Sequence, residues 1–237
     1  MQEPLVFLPG MMCDARLFAP QLIDLGRDHV VSVAPLTGGD RIEDIASAIL
    51  PALPDRFALA GLSMGGVVAM ELMRKAPERI TRLALMDTNA LAETPAGAAS
   101  LEPLIIGAKA GKLDEAVRQL VLPEHLGPGP SRLSVLAELQ LMAQTLGPEV
   151  FVNQARALQR RRDQQATLRK VKCPTLVMCG EHDGLTPIKR HAFMAELIPY
   201  AALEVIEGAG HLPTLEQPTK VNDALRRWMN QPQVQRS

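Results

Sequence analysis

Three residue types that together can activate a hydroxyl stand at well-separated places in this chain. Ser63 lies in Gly61-Leu62-Ser63-Met64-Gly65, Asp183 closes Gly180-Glu181-His182-Asp183, and His211 closes Glu207-Gly208-Ala209-Gly210-His211. A serine hydroxyl is a poor nucleophile near neutral pH; it needs an adjacent base, usually an imidazole oriented by a carboxylate. The G-x-S-x-G spacing suits such a nucleophile, because a very tight turn lifts the hydroxyl clear of the backbone and the flanking glycines let neighbouring chain pass without a Cβ clash. The same turn aims the backbone N–H of Met64, near a helix N-terminus, at the place where a negative oxygen forms during attack on a carbonyl.

The elements around these residues are the ones the chemistry requires. Phe57-Ala58-Leu59-Ala60 is an apolar run suited to a buried strand, and Met64 to Lys75 has the apolar repeat of a helix, so strand, turn and helix meet at Ser63. Pro174 to Cys179 is a second strand ending just before Asp183, and Ala202 to Ile206 is a third ending just before His211. All three side chains are therefore expected at the carboxyl edge of one sheet. Pro4 to Leu8, His29 to Ala34 and Ile80 to Met86 add further strands. Helices are expected at Asp14 to Leu25 with Asp14 at its start, at Arg41 to Leu50 with Asp40 and Glu43 as a capping box, at Ile188 to Ile198 and at Thr219 to Met229. Alternating strand and helix predicts an α/β fold, a mostly parallel doubly wound sheet of about six strands whose ligands bind beyond the strands' carboxyl ends.

The texture changes between residues 90 and 170. Helical patterns run over Ala98 to Lys109, Lys112 to Leu122, Arg132 to Leu146 and Glu149 to Gln159, with no convincing strand among them. Residues 1–89 and 171–237 are read as the core, and 90–170 as a helical lid inserted directly after a strand's carboxyl end. The run Arg160-Arg161-Arg162 is read as a solvated helix end, since Asp163 follows it and the chain as a whole is balanced in charge.

Composition narrows the partners. With 25 Lys plus Arg against 26 Asp plus Glu in 237 residues, nothing favours nucleic acid or an anionic membrane, and a small ligand is expected. Three cysteines, Cys13, Cys173 and Cys179, are odd in number and lack metal-type spacing, which argues against a disulfide framework and a zinc site. No basic region precedes an apolar leader and no apolar run reaches the length of a membrane span, so the expectation is a soluble, reduced, cytoplasmic protein. No metal or organic cofactor is called for by the chemistry above.

The stretches LPGMMCDARLF, GLSMGGVVAMEL, PTLVMCGEHDGLTP and EGAGHLPTLEQP, taken in order, resemble the landmarks of small α/β-hydrolases, especially the esterase and enol-lactonase-like group. The likeness runs from about residue 4 to residue 230 and is weak across the helical segment. It implies Ser63 as nucleophile, Asp183 as acid, His211 as base, and the backbone N–H groups of Met11 and Met64 as oxyanion hole. The chain departs from the family's usual pattern in carrying Pro9-Gly10 where His-Gly is common, and in having no sequence for the two strands that often come first.

Each role has a rival in the chain. Asp87 also closes a strand and is a second position for the acid; Asp183 is preferred for its GEHDGLTP setting. His29, His125 and His191 are placed away from the strand ends, and His182 in a loop. Cys13 lies close to the proposed hole and is read as packing. The reading that follows is hydrolysis of a small ester, lactone or thioester, with the aliphatic residues of the lid (Leu101, Leu104, Ile105, Ile106, Leu120, Val121, Leu122) favouring a partly apolar acyl group. The same scaffold also serves carbon–carbon bond hydrolysis, elimination, perhydrolysis and ligand reception without turnover, so the pocket has to decide.

Overall fold

The computed structural model describes residues 3–232. Six strands, β1 (Leu5–Leu8), β2 (Val31–Val33), β3 (Phe57–Leu62), β4 (Ile80–Met86), β5 (Thr175–Gly180) and β6 (Ala201–Ile206), form one sheet. Its order is β2-β1-β3-β4-β5-β6 and every pairing is parallel. β1, β3 and β5 are buried along their whole length, as expected of apolar runs covered on both faces. β6 is an edge strand, and only Ile206 of it is fully buried.

Helices flank the sheet: α1 (Ala19–Leu25), α2 (Ile42–Ile49), α3 (Met64–Lys75), α9 (Ile188–Leu197), α10 (Pro213–Glu216) and α11 (Pro218–Met229). The segment between β4 and β5 is helical throughout, with α4 (Pro95–Ser100), α5 (Glu102–Lys109), α6 (Leu113–Leu120), α7 (Arg132–Gln159) and α8 (Gln165–Leu168). α7 is two helices in one: Gly147 has φ 83° and ψ 170° and Pro148 follows, so the ladder breaks where the sequence separates Arg132–Leu146 from Glu149–Gln159.

Four local expectations need correction. The stretch Asp14 to Leu25 is a 3-10 turn, Ala15–Phe18, and then α1; Asp14 does accept the Arg16 N–H, but Pro20 restarts the helix four residues later than expected. Pro103 likewise divides Ala98 to Lys109 into α4 and α5, because a ring nitrogen has no hydrogen to donate. The Asp40/Glu43 capping box does not form. Arg41 stands at the N-cap of α2 without a side-chain bond, and the two carboxylates face the arginine run instead, Asp40 taking Arg160 at 2.5 Å and Glu43 taking Arg162 at 2.8 Å. That run is therefore no freely solvated helix end. Arg161 between them is 15% exposed in its side chain and pairs at 2.9 Å with Glu93 inside the helical segment, while its two neighbours reach across to Asp40 and Glu43.

Candidate active site

The order of the strands makes a crevice. From β1 the chain moves outward to β2 and then returns past β1 to β3, so the carboxyl ends of β1 and β3 diverge at a topological switch point, where open parallel sheets bind ligands. Gly10 and Met11 follow β1 there and Ser63 follows β3; Asp87 follows β4, Asp183 β5 and His211 β6.

Ser63 sits at φ 54° and ψ −116°, a region that residues with a side chain rarely occupy. Its surroundings over-determine that conformation. Ser63 N–H donates to Met86 O at 2.8 Å, and Thr88 Oγ1 donates to Ser63 O at 2.7 Å. The Thr88 N–H in turn donates to His191 Nε2 at 2.9 Å. On the other side α3 begins so close to β1 that a Cβ on Gly65 would overlap the carbonyl groups of Leu8 and Pro9, which are backbone and cannot yield.

His211 spans the gap between the other two side chains. Its Nε2 lies 3.0 Å from Ser63 Oγ, and its Nδ1 lies 3.0 and 2.9 Å from the two oxygens of Asp183. Both His211 and Asp183 are about 95% buried. Asp183 also accepts the N–H groups of Leu185 and Thr186 at 2.9 Å and the Thr186 hydroxyl at 2.5 Å. Burial works to raise the Asp183 pKa, but the charge and hydrogen bond of His211 and the bonds from Thr186 more than offset it, and the carboxyl ends well below the usual carboxylate range. An ionised carboxylate on Nδ1 leaves Nε2 free to accept the serine proton.

The loop that carries His211 is itself held from behind. Glu216, 8% exposed, accepts the N–H groups of Gly127 at 2.6 Å, Gly210 at 2.9 Å and Leu212 at 2.9 Å. His211 N–H donates to His125 O at 2.8 Å. The imidazole is thus fixed by a carboxylate below the ring and by backbone bonds on both sides of its own residue.

Asp87 completes the buried group: atoms of Asp87, Asp183 and His211 lie within 4.8 Å of one another. Its Oδ1 accepts the Gly180 N–H at 2.9 Å, while its Oδ2 is buried with no donor aimed at it from the described residues. Burial first, and the Asp183 charge second, raise the Asp87 pKa well above the ordinary range. A proton on Oδ2 resolves both observations, since a neutral acid there is a donor facing the Asp183 carboxylate.

A cavity of about 590 Å³ opens over Ser63 and His211. Gly10 and Met11 line it from the sheet, Leu101, Leu120, Val121, Leu139 and Leu158 from the helical segment, and Leu185 and Pro187 from the loop after Asp183. Two backbone donors stand near the serine. Met64 is the first residue of α3, so its N–H has no acceptor within the helix, and the Met11 N–H makes no hydrogen bond to any described residue. Met12, at φ 58°, donates its N–H to Gln154 Oε1 at 2.8 Å, and Gln154 Nε2 donates to Leu36 O at 2.9 Å. This buried glutamine holds the turn that follows Pro9-Gly10. Burial, and after it Asp14, push the Cys13 thiol far above its ordinary pKa, which leaves it protonated and a weak nucleophile.

The structure thus brings Ser63, Asp183 and His211 into hydrogen-bonded contact, with Met11 and Met64 beside them. Sequence reasoning passes over Glu216, Thr186, Thr88 and Gln154. Glu216 is visible in retrospect as the acid of the EGAGHLPTLEQP stretch, but Gln154 carries no local signal, since its partners lie more than a hundred positions away. Two of the histidines set aside also border the site, His191 through Thr88 and His125 through its carbonyl.

The profile of a family described as "Alpha/beta hydrolase family" matches residues 5–224. Among relatives, a pimeloyl-[acyl-carrier protein] methyl ester esterase of Aromatoleum aromaticum is 29% identical over 199 residues, covering 76% of each chain. The corresponding esterase of Salmonella newport is 24% identical over 93% of this chain and 91% of its own. Among solved structures, a thermophilic esterase from Thermogutta terrifontis superposes with a TM-score of 0.86 at 26% identity, over 97% of this chain and 90% of that one. The enol-lactonase from Burkholderia xenovorans has a TM-score of 0.85 at 22% identity, over 98% of this chain and 92% of its own, a likeness of fold.

Proposed function

Since this chain belongs to the alpha/beta hydrolase family and is esterase-like within it, we propose that it is a serine hydrolase that cleaves a small carboxylic ester, lactone or thioester through an acyl-enzyme on Ser63. The observation that carries this reading is the chain of contacts Ser63 Oγ, His211 Nε2, His211 Nδ1, Asp183, at 3.0 Å and 2.9 Å, at the floor of a cavity large enough for a small substrate.

In the proposed mechanism Ser63 Oγ attacks the carbonyl carbon as His211 Nε2 takes its proton. Asp183 stays ionised and stabilises the imidazolium so formed. The N–H groups of Met11 and Met64 stabilise the oxyanion; removing one such donor typically costs about 3 to 4 kcal/mol of transition-state energy. The C–O or C–S bond to the leaving group breaks as His211 returns the proton to it. Water, deprotonated by the same imidazole, then cleaves the acyl-enzyme. The helical segment 90–170 serves as the lid, its leucines lining the acyl side and excluding water.

Within the ester class, a methyl ester at the end of an aliphatic chain is the favoured substrate. Two relatives are methyl ester esterases by name, and the lid face of the cavity is lined by Leu101, Leu120, Val121, Leu139 and Leu158. Labelling with a fluorophosphonate tests the nucleophile: the native protein takes one label and Ser63→Ala takes none. A panel of methyl esters, lactones and thioesters read against Ser63→Ala tests the substrate. Ester turnover by native protein supports the reading, and a protein that neither labels nor turns over any ester is a receptor on a hydrolase scaffold.

A further inference from the structure

The charged residues that line the cavity are Glu93, Arg161, Lys189 and Arg190, apart from His211. They are not balanced. Glu93 is already engaged by Arg161, at 2.9 Å, and accepts the Thr94 N–H; Arg161 also donates to Leu91 O at 3.2 Å. Arg190 is half-buried, and its guanidinium has no hydrogen bond or ion pair with any described residue; the Arg161 pKa is lowered by burial first, with the nearby Arg190 charge adding to it. Lys189 beside it is exposed and equally unpaired.

Stability gives no reason for this arrangement. Lys189 and Arg190 occupy the first turn of α9, where the helix macrodipole disfavours cations, and no acidic residue accompanies them there. A guanidinium held half out of water beside a second, buried guanidinium is also repelled by it. No acidic side chain among the described residues pairs with either cation, and both open onto the cavity that holds Ser63 and His211.

Resting on the serine hydrolase reading, we infer that Arg190, with Lys189 and the Arg161–Glu93 pair behind it, forms an oxyanion subsite. It binds a carboxylate or phosphate on the substrate at a point remote from the scissile carbonyl. The substrate is then two-ended: an ester at Ser63, and an anion held by the planar fork of Arg190. The leucines of the helical segment line the cavity that both ends share. Selection works mainly through KM, because the contact is made equally in ground and transition states.

The test compares three methyl esters built on one adipoyl chain: monomethyl adipate, dimethyl adipate, and the methyl ester of adipoyl-coenzyme A, whose anion is phosphate. The free-carboxylate ester is expected to exceed the neutral diester in kcat/KM by about tenfold or more, mostly in KM, with the advantage falling as sodium chloride is raised. A larger advantage for the coenzyme A ester assigns the anion to phosphate, and a larger one for the free acid assigns it to carboxylate. In Arg190→Gln the ratio of charged to neutral ester collapses toward one, and in Arg190→Lys, which keeps the charge but not the fork, it falls to an intermediate value. A ratio does not depend on the fraction of active enzyme, so partial misfolding does not mimic the result. Equal kcat/KM for charged and neutral esters in the native protein, or a ratio untouched by Arg190→Gln, overturns the inference while leaving the hydrolase reading intact. Calorimetric binding of adipate to Ser63→Ala protein reads the subsite without turnover: its loss in the Ser63→Ala, Arg190→Gln double variant is expected, and no binding in either overturns it. Absence of both fluorophosphonate labelling and ester turnover strikes the hydrolase reading instead.

Discussion

Glu216 shows how much of the proposed catalytic geometry can hang on a residue that does not line the cavity. One carboxylate oxygen accepts from Gly127 and Gly210, the other from Leu212, so the two backbone donors that flank His211 and a third from the helical segment converge on a single side chain. An amide cannot replace it, because the nitrogen of a glutamine presents hydrogen to donors. Glu216→Gln should lower the unfolding free energy by about 2 to 3 kcal/mol, measured by urea denaturation, and should lower kcat along with it; an unchanged urea midpoint would show that the loop does not depend on this acid. Asp87 makes the opposite case. If it is neutral in the folded protein, Asn is close to its natural state and also tolerates the φ of 46° found there. Asp87→Asn should therefore keep kcat within about threefold of wild type, and a fall of a hundredfold would mean that Asp87 works as a carboxylate. The sequence made Ser63, Asp183 and His211 legible because each follows a strand within a short glycine-containing turn. It hid Glu216 and Gln154 because their roles consist of contacts, and nothing in a linear pattern states which backbone a buried acid or amide will meet.

At the scale of elements, α9 supports Ser63, the proposed nucleophile, by a route that pH can break. His191 is fully buried on α9, and its Nε2 accepts from Thr88, whose hydroxyl holds the Ser63 carbonyl. Burial lowers its pKa to about 4. In the unfolded chain the imidazole protonates near pH 6.5, so as pH falls below that value protons bind first to the unfolded state; the stability His191 contributes is complete above pH 6.5 and lost towards pH 4. The full shift is worth about 3 kcal/mol. Asp87 acts with the opposite sign: neutral in the fold and ionised in the unfolded chain above its ordinary pKa, it weakens the fold as pH rises. Comparison with His191→Gln, which keeps an acceptor for Thr88, separates the two. Between pH 4 and 6.5 the native protein should gain stability more steeply than the variant, and parallel curves would sink the assignment. Element boundaries were legible where proline and glycine punctuate, as at Gly147-Pro148 in α7. The capping box was misread, because a carboxylate near a helix start serves the N-cap only when no arginine from elsewhere claims it, and Arg160 and Arg162 do.

Across the whole molecule the sheet and the helical segment are joined by two kinds of contact that differ in what they can do. The pair Arg160–Asp40 is exposed on both sides and Arg162–Glu43 on the arginine side, so each contributes little to stability. Gln154 is different: 1% exposed and carried on the second half of α7, it reaches into the sheet layer and binds Met12 N–H and Leu36 O together. Met12 adjoins Met11, whose N–H is the proposed oxyanion donor, so the helical segment holds the turn on which that proposed hole depends. This also accounts for how Pro9-Gly10 can replace His-Gly, since the turn is fixed by an amide from a distant helix and needs no imidazole within it. Gln154→Leu keeps the volume but leaves one buried donor and one buried acceptor unpaired, at a cost of about 2 to 4 kcal/mol in stability. The more telling readout is kinetic. A displaced Met11 N–H weakens the oxyanion and leaves the cavity walls in place, so kcat should fall by about tenfold or more while KM changes little. A variant whose KM rises and whose kcat is preserved would show instead that Gln154 shapes the binding cavity and not the hole.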